Sequence, residues 1–336
     1  MRPRGSVASA LVGVAALVVL TGCSGEDNGP NVPTREPATA AVSPATTVTP
    51  AGQVYPAAAT KALLAERETG RLAALDTAGT ALTLTDPAAP AEARTITLPA
   101  AGAALAQGQP GEVLVAAANR ILRVDAATGT VTELPVDGDV QSVQTRSDGT
   151  LVVGTADGSI HELNTDGSVA RTVTGLVSAD AIALTGEEIT VLDRKQTAVV
   201  GVREDALGLM LRAGDGAVNA VADAQGRIIV TDTAGGELLV YTAGPLVLRQ
   251  RFPVASSPYA LAYDPRSDTV WVTCTQSNEV LGFDLSTGIG VEVGRFPTLR
   301  QPDAVTVDER TGDLFVASAT GDGLQRIGAD ERKRGQ

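Results

Sequence analysis

The chain is poor in aromatic rings, histidine, cysteine and positive charge. Aromatics make up 3% of its 336 residues, with one tryptophan, Trp271, and one histidine, His161. A core with so few rings must use many small β-branched contacts. Any Ser-His-Asp or Cys-His catalytic set would have to use His161, and no local motif supports one. The two cysteines, Cys23 and Cys274, cannot build a metal-thiolate cluster. Lys and Arg number 26 against 39 Asp and Glu, a formal net charge of −13. Removing Arg2 and Arg4 with a leader takes two positive charges away, so −13 becomes −15. Such a surface argues against nucleic acid, which needs basic groups to replace counterions, and against direct binding to anionic headgroups. A helical period of about 3.6 residues is also missing, which excludes stacked helix pairs.

What is present begins with a basic start, Arg2 and Arg4, followed by an apolar or small stretch from Val7 to Leu20. That has the length of a signal-peptide core and is too short for a comfortable membrane span. Leu20-Thr21-Gly22-Cys23-Ser24 then resembles the lipobox of bacterial lipoproteins. The resemblance implies that Cys23 receives a diacylglycerol, becomes the new N-terminus and carries acyl chains such as palmitate. It implies anchoring on the outer face of the cytoplasmic membrane, since each buried methylene contributes roughly 0.8 kcal/mol. Cys274 is then left without a disulfide partner. From Ser24 to about Gly52 the chain is rich in Pro, Thr, Ala and Ser with no hydrophobic period, and is expected to be a disordered or extended tether.

Beyond the tether one phrase recurs: a small or polar residue, a β-former, then another small residue. Its anchors are Leu64, Leu105, Val143, Ile182, Val221, Leu261 and Val305, spaced 41, 38, 39, 39, 40 and 44 residues apart. A period of about 40 residues marks one supersecondary unit per repeat. Each unit splits into four short β-runs between turn residues, clearest over Tyr259–Tyr263, Thr269–Thr273, Glu279–Asp284 and Val291–Phe296. Inner runs such as Ile228-Ile229-Val230 are continuously apolar, as strands buried on both faces are. Outer runs such as Arg249-Gln250-Arg251 are wetter. This predicts an all-β, seven-bladed β-propeller of four-stranded antiparallel blades. The last unit offers only three runs, so Gln53-Val54-Tyr55 is expected to supply the outer strand of the last blade. The expected organisation is a signal peptide over 1–22, Cys23 and its tether over 23–52, the propeller over 53–329 and a solvated charged tail over 330–336.

Val270-Trp271-Val272-Thr273 through Ser277-Asn278 to Asp284-Leu285-Ser286-Thr287-Gly288 resembles the YVTN-type propeller repeat. Ile229-Val230-Thr231-Asp232 to Val240-Tyr241 is similar to NHL-type repeats. With the lipobox and the alanine-rich composition, the chain resembles propeller lipoproteins of actinobacteria. Quinone-dependent propellers repeat a tryptophan motif and WD40 propellers a Trp-Asp pair, and neither is present. These superfamilies hold binding proteins, scaffolds and enzymes alike, so the fold does not choose among them.

Two residues before each anchor stand Ala62, Ala103, Gln141, Asp180, Asn219, Tyr259 and Asp303. The start of an innermost strand lies near one mouth of the central channel. Gln141, Asp180, Asn219, Tyr259 and Asp303 are therefore the candidate ligand or metal site. Their carboxylate and amide oxygens would suit a hard cation such as Ca²⁺; the plainer alternative is that they cap strand starts and line a watery channel. No catalytic residue and no cofactor are expected otherwise. The first functional expectation is a lipid-anchored envelope module without catalysis. It would bind or scaffold an envelope protein or a small molecule, not nucleic acid. The alternative is a divalent-cation-dependent lactonase or hydrolase with its site at the channel mouth.

Overall fold

The structure is a computed structural model that describes residues 33–254 and 256–333; the signal segment, Cys23 and the start of the tether lie outside the described residues. Strand β1 (Gln53–Tyr55) precedes the first sheet, β2 (Thr60–Ala65), β3 (Leu72–Asp76), β4 (Ala81–Thr85) and β5 (Arg94–Thr97). Next come β6 (Gly102–Gln107), β7 (Glu112–Asp125), β8 (Val131–Thr145), β9 (Leu151–Thr155), β10 (Ile160–Leu163) and β11 (Val169–Val173), all in one sheet. A further sheet holds β12 (Ala181–Thr185), β13 (Glu188–Asp193), β14 (Ala198–Val202) and β15 (Leu207–Arg212). It is followed by β16 (Ala217–Ala222), β17 (Arg227–Asp232), β18 (Glu237–Thr242) and β19 (Val247–Pro253). Then come β20 (Pro258–Asp264), β21 (Thr269–Cys274), β22 (Glu279–Asp284) and β23 (Val291–Pro297). The last sheet is β24 (Pro302–Val307), β25 (Leu314–Ser318), β26 (Leu324–Ile327) and, outermost, β1. A short helix, α1 (Ala329–Lys333), ends the described chain.

Seven separate four-stranded blades are not what forms. Among the described residues the strands make six sheets, five of four strands and one of six. The second and third repeats share the six-stranded sheet because pairing does not stop between them. Strand β7 turns at Asn119 (φ 59°) and β8 at Gly138 (φ 95°), and Ala118 pairs with Asp139 across these corners. Strand β8 then continues from its pairing with β7 into its pairing with β9. All anchors lie on innermost strands, which contact one another in turn from β2 through β6, β8, β12, β16 and β20 to β24 and back to β2.

Sheets stack through small apolar side chains. Ile228, Val230, Leu239 and Tyr241 pack with Ala183, Leu192 and Val199 of the preceding sheet, all buried. Burying one such Val, Ile or Leu side chain contributes roughly 1.5–3 kcal/mol. The large exception is Trp271, whose ring sits where Gly282 and Gly294 pair in register; a Cβ at either glycine would come within 2.9 Å of the indole. The ring closes where Leu63, Ala65 and Leu72 of the first sheet meet Ala304, Phe315 and Ala317 of the last.

At one end of the ring, where innermost strands finish, buried acids hold the turns. Glu66 accepts the N–H groups of Glu68, Thr69 and, from the next repeat, Gly111, with the Thr69 hydroxyl and the Gln107 amide. Burial works against its charge, but these hydrogen bonds outweigh it and hold the carboxyl down at about 2. Arg227 joins Asp223 to Asp268 of the following sheet.

Within α1, Arg332 departs from the expected solvated tail, whereas Asp330 and Glu331 are exposed. Arg332 is only 9% exposed; it donates twice to Asp264, which is 1% exposed, and lies 4.9 Å from the Trp271 ring. The helix thereby couples the last two sheets.

Two outcomes follow from these pairs. Arg332→Ala leaves Asp264 buried without its counter-charge and is expected to lower the unfolding free energy by about 3 kcal/mol, read from urea denaturation. An unchanged midpoint would show that the helix contributes nothing. Glu66 is depressed, so its contribution is full above pH about 4.5 and is lost as pH falls through about 2. Glu66→Gln is expected to flatten the fall of melting temperature across that window; an unaltered slope would contradict it.

Candidate functional site

The opposite end of the ring, where innermost strands start, carries the predicted residues. Several entries are shaped by a register shift in the pairing of first and second strands. The shifts lie between Thr60 and Ala62, Gly102 and Ala104, Val140 and Ser142, Ala217 and Asn219, Pro258 and Leu261, and Pro302 and Ala304. Such bulges re-aim a side chain. Gln141, Tyr259 and Asp303 sit inside shifts, and Asn219 borders one. In the first sheet the displaced residue is Lys61 rather than Ala62. Lys61 is half-buried, and burial lowers its ammonium against the opposing pull of Asp76. Counting back from the anchor missed it by one position; a strand-start lysine among alanines was its only signal.

Two buried aspartates fix the loops that enter these strands. Asp193 accepts from the Val177, Ser178 and Gln196 N–H groups and the Ser178 hydroxyl. Asp232 does the same for Asp215, Gly216 and Gly235. The mouth residues are thus placed by side chains at the ends of second strands.

Within the mouth the predicted set divides. Asp180 accepts the Ser178 hydroxyl at 2.5 Å and the Arg194 N–H at 2.8 Å. The Asn219 side chain donates to the Tyr259 carbonyl at 2.9 Å. Asp303 accepts from the Gln301 amide at 2.8 Å; burial pushes its carboxyl up, with Gln301 pulling the other way. Burial also raises the Tyr259 phenol, which feels Arg194 on one side and Asp303 on the other. The Tyr259 phenol thus responds to the charges of both Arg194 and Asp303, and the Tyr259 carbonyl holds the Asn219 side chain. Gln141 takes part in none of these contacts. Among the described residues no group of three or more His, Cys, Asp or Glu is arranged to hold a metal ion.

Among the described residues there is one cysteine, Cys274, and one histidine, His161. Cys274 is fully buried, and that burial pushes its thiol up to about 12. His161 stands on β10, with Nδ1 2.9 Å from the Thr172 hydroxyl. A separate open groove of about 900 Å³, bordered by Arg171, Glu187, Arg203 and Asp205, lies at the other end of the ring.

The mouth also holds a segment composition did not reveal. Residues 33–52 have no regular secondary structure, yet they are pinned along the rim rather than free. The Arg35 N–H donates to the Lys195 carbonyl at 2.8 Å, and Arg194 donates to Ala38 O at 3.2 Å. Ser257 Oγ accepts from Ala41 N at 3.1 Å, and Asn278 donates to Pro44 O at 3.0 Å. Gln301 uses both ends of its amide: Oε1 accepts from Ser43 N at 2.9 Å and Nε2 donates to Ala41 O at 3.1 Å. The buried Gln325 side chain then donates to Ala51 O at 2.8 Å, and the chain enters β1.

No protein-family model matches this chain, and no curated protein matches it. Solved structures do match. A streptogramin B lyase is 13% identical over 83% of this chain and 96% of its own, with a TM-score of 0.67. A catalytically inactive virginiamycin B lyase from Staphylococcus aureus with quinupristin is 15% identical over 83% and 97%, with a TM-score of 0.66. Hydrazine synthase from Kuenenia stuttgartiensis is 14% identical over 84% and 98%, with a TM-score of 0.67. At such identities the likeness is one of fold, and with the sheet order it makes this chain a β-propeller.

Proposed function

We propose that this chain is a lipid-anchored β-propeller of the cell envelope that binds a partner or ligand at the strand-start mouth. Its repeats are of the YVTN/NHL-like type, and it resembles actinobacterial lipoproteins. Cys23 carries the lipid and holds the domain to the outer face of the cytoplasmic membrane. The observation that carries the binding role is the mouth itself, where Arg194 and Gln301 hold the main chain of a pinned segment and Gln301 also donates to Asp303. A cation-dependent lactonase would need Asp180 and Asp303 to share an ion. Asp180 spends one oxygen on Ser178 and the Arg194 N–H, and Asp303 one on Gln301, bonds that an ion would have to share or displace.

A ligand that favours the folded state raises the melting temperature by mass action. Melting in Ca²⁺, in Mg²⁺ and in EDTA is expected to give the same midpoint. A rise in either cation that EDTA reverses, with turnover of a lactone or ester, would overturn the binding role in favour of hydrolysis. For the anchor, wild-type protein is expected in the membrane fraction and Cys23→Ala in the soluble fraction. A membrane-bound Cys23→Ala protein would refute lipidation at that residue.

A further inference from the structure

The pinned segment is held in an unusual way. Its side chains mostly face outwards: Val42 is 81% exposed, while its neighbour Ser43 is 3% exposed. The contacts run instead from propeller side chains to its main chain. The Gln301 amide meets the N–H of Ser43 and the carbonyl of Ala41, as a neighbouring β-strand would. Asn278 and Arg194 take further carbonyls, those of Pro44 and Ala38. Main-chain recognition of an extended segment, with selectivity confined to one pocket, is the logic of strand addition to a sheet edge. The pocket here is small and polar. Ser43 Oγ donates to the Thr275 carbonyl and accepts from the Gln301 N–H.

Two further observations set this rim apart. Ser257 (φ 57°), Asn278 (φ 52°) and Gln301 (φ 52°), three of the residues that hold the segment, all adopt the left-handed conformation that side chains other than glycine rarely take. Backbone of this kind persists where surrounding structure enforces it, and it clusters at ligand clamps. In addition, Arg194 Nε is buried and has no hydrogen-bond partner, although the Nη2 of the same guanidinium holds Ala38.

We propose that the rim groove formed by Arg194, Ser257, Asn278 and Gln301 is a recognition site for extended peptide segments carrying a small hydroxyl residue, and that residues 35–44 are its built-in occupant. An external segment of the same chemistry displaces them. This deepens the binding role above by naming a peptide as the ligand.

The test uses the full chain carrying Ala41→Pro and Ser43→Arg. The first change removes the N–H that Ser257 accepts; the second cannot fit the Ser43 pocket. Release is read by thermolysin cleavage before Val42, and binding by fluorescence polarisation of a labelled peptide of residues 35–48. The double variant is expected to be cut and to bind the peptide at least tenfold more tightly than wild type. Adding Gln301→Ala should lower that affinity at least tenfold, and a peptide with Arg at the serine position should not bind. A folded variant that resists cleavage, one that is cut but does not bind, or binding indifferent to Gln301→Ala would each overturn the proposal. Should the double variant not fold, excess unlabelled peptide added to wild type is expected to speed cleavage before Val42; no acceleration overturns it equally. Failure here without a cation response or turnover removes the peptide site alone, whereas lactone turnover removes the binding role itself.

Discussion

Three residues of β1 paired with β26 tie the two ends of the ring together. Gln53, Val54 and Tyr55 face Arg326, Gln325 and Leu324 and complete the last sheet. A propeller sheet hides its apolar faces only against neighbours on both sides, so an open ring would leave Leu63 and Leu72 facing water opposite Phe315 and Ala317. The closing strand is also the continuation of the segment on the mouth. Ala51 is the junction: its N–H donates to the Pro297 carbonyl, and its carbonyl accepts from Gln325, whose Oε1 takes the Leu299 N–H. Closure of the ring and coverage of its rim are therefore one mechanical unit.

The scarcity of aromatic rings has a structural counterpart. Sheets built from Val, Ile, Leu and Ala approach closely, and polar side chains can be spared to hold loops. Asp193 and Asp232, buried at the ends of second strands, spend their oxygens on loop N–H groups that would otherwise be unsatisfied. Those loops deliver Asp180 and Asn219 to the mouth, and the bulges that follow turn Gln141, Tyr259 and Asp303 off the ladder. The site is thus positioned by the same buried polar network that keeps the loops folded.

Much of this was legible in the chain. The period near 40 placed every innermost strand, because a strand buried on both faces leaves an apolar run that turn residues punctuate. Sheet count was not legible. Whether pairing stops between repeats depended on the corners at Asn119 and Gly138, and a glycine reads the same whether a ladder ends or bends there. The candidate residues were chosen by position along the strand, and a bulge moves that counting by one residue, which hid Lys61. The segment over 33–52 looked like a tether because its recognition is carried by carbonyls and N–H groups, which every residue possesses. Only the burial of Ser43 distinguishes it, and burial comes from partners more than 230 residues away. The same holds for Arg332, whose partners Asp264 and Trp271 lie in another repeat.

The segment over 33–52 belongs to the folded propeller and occupies its rim. Hydrogen exchange of the full-length wild-type protein tests this most directly, since exchange reports the free energy of local opening. The account predicts that the Ala41 and Ser43 amides, which donate to Ser257 and Gln301, exchange far more slowly than an unstructured chain. Exchange of both amides at the unstructured rate, with the inner strands still protected, would contradict it.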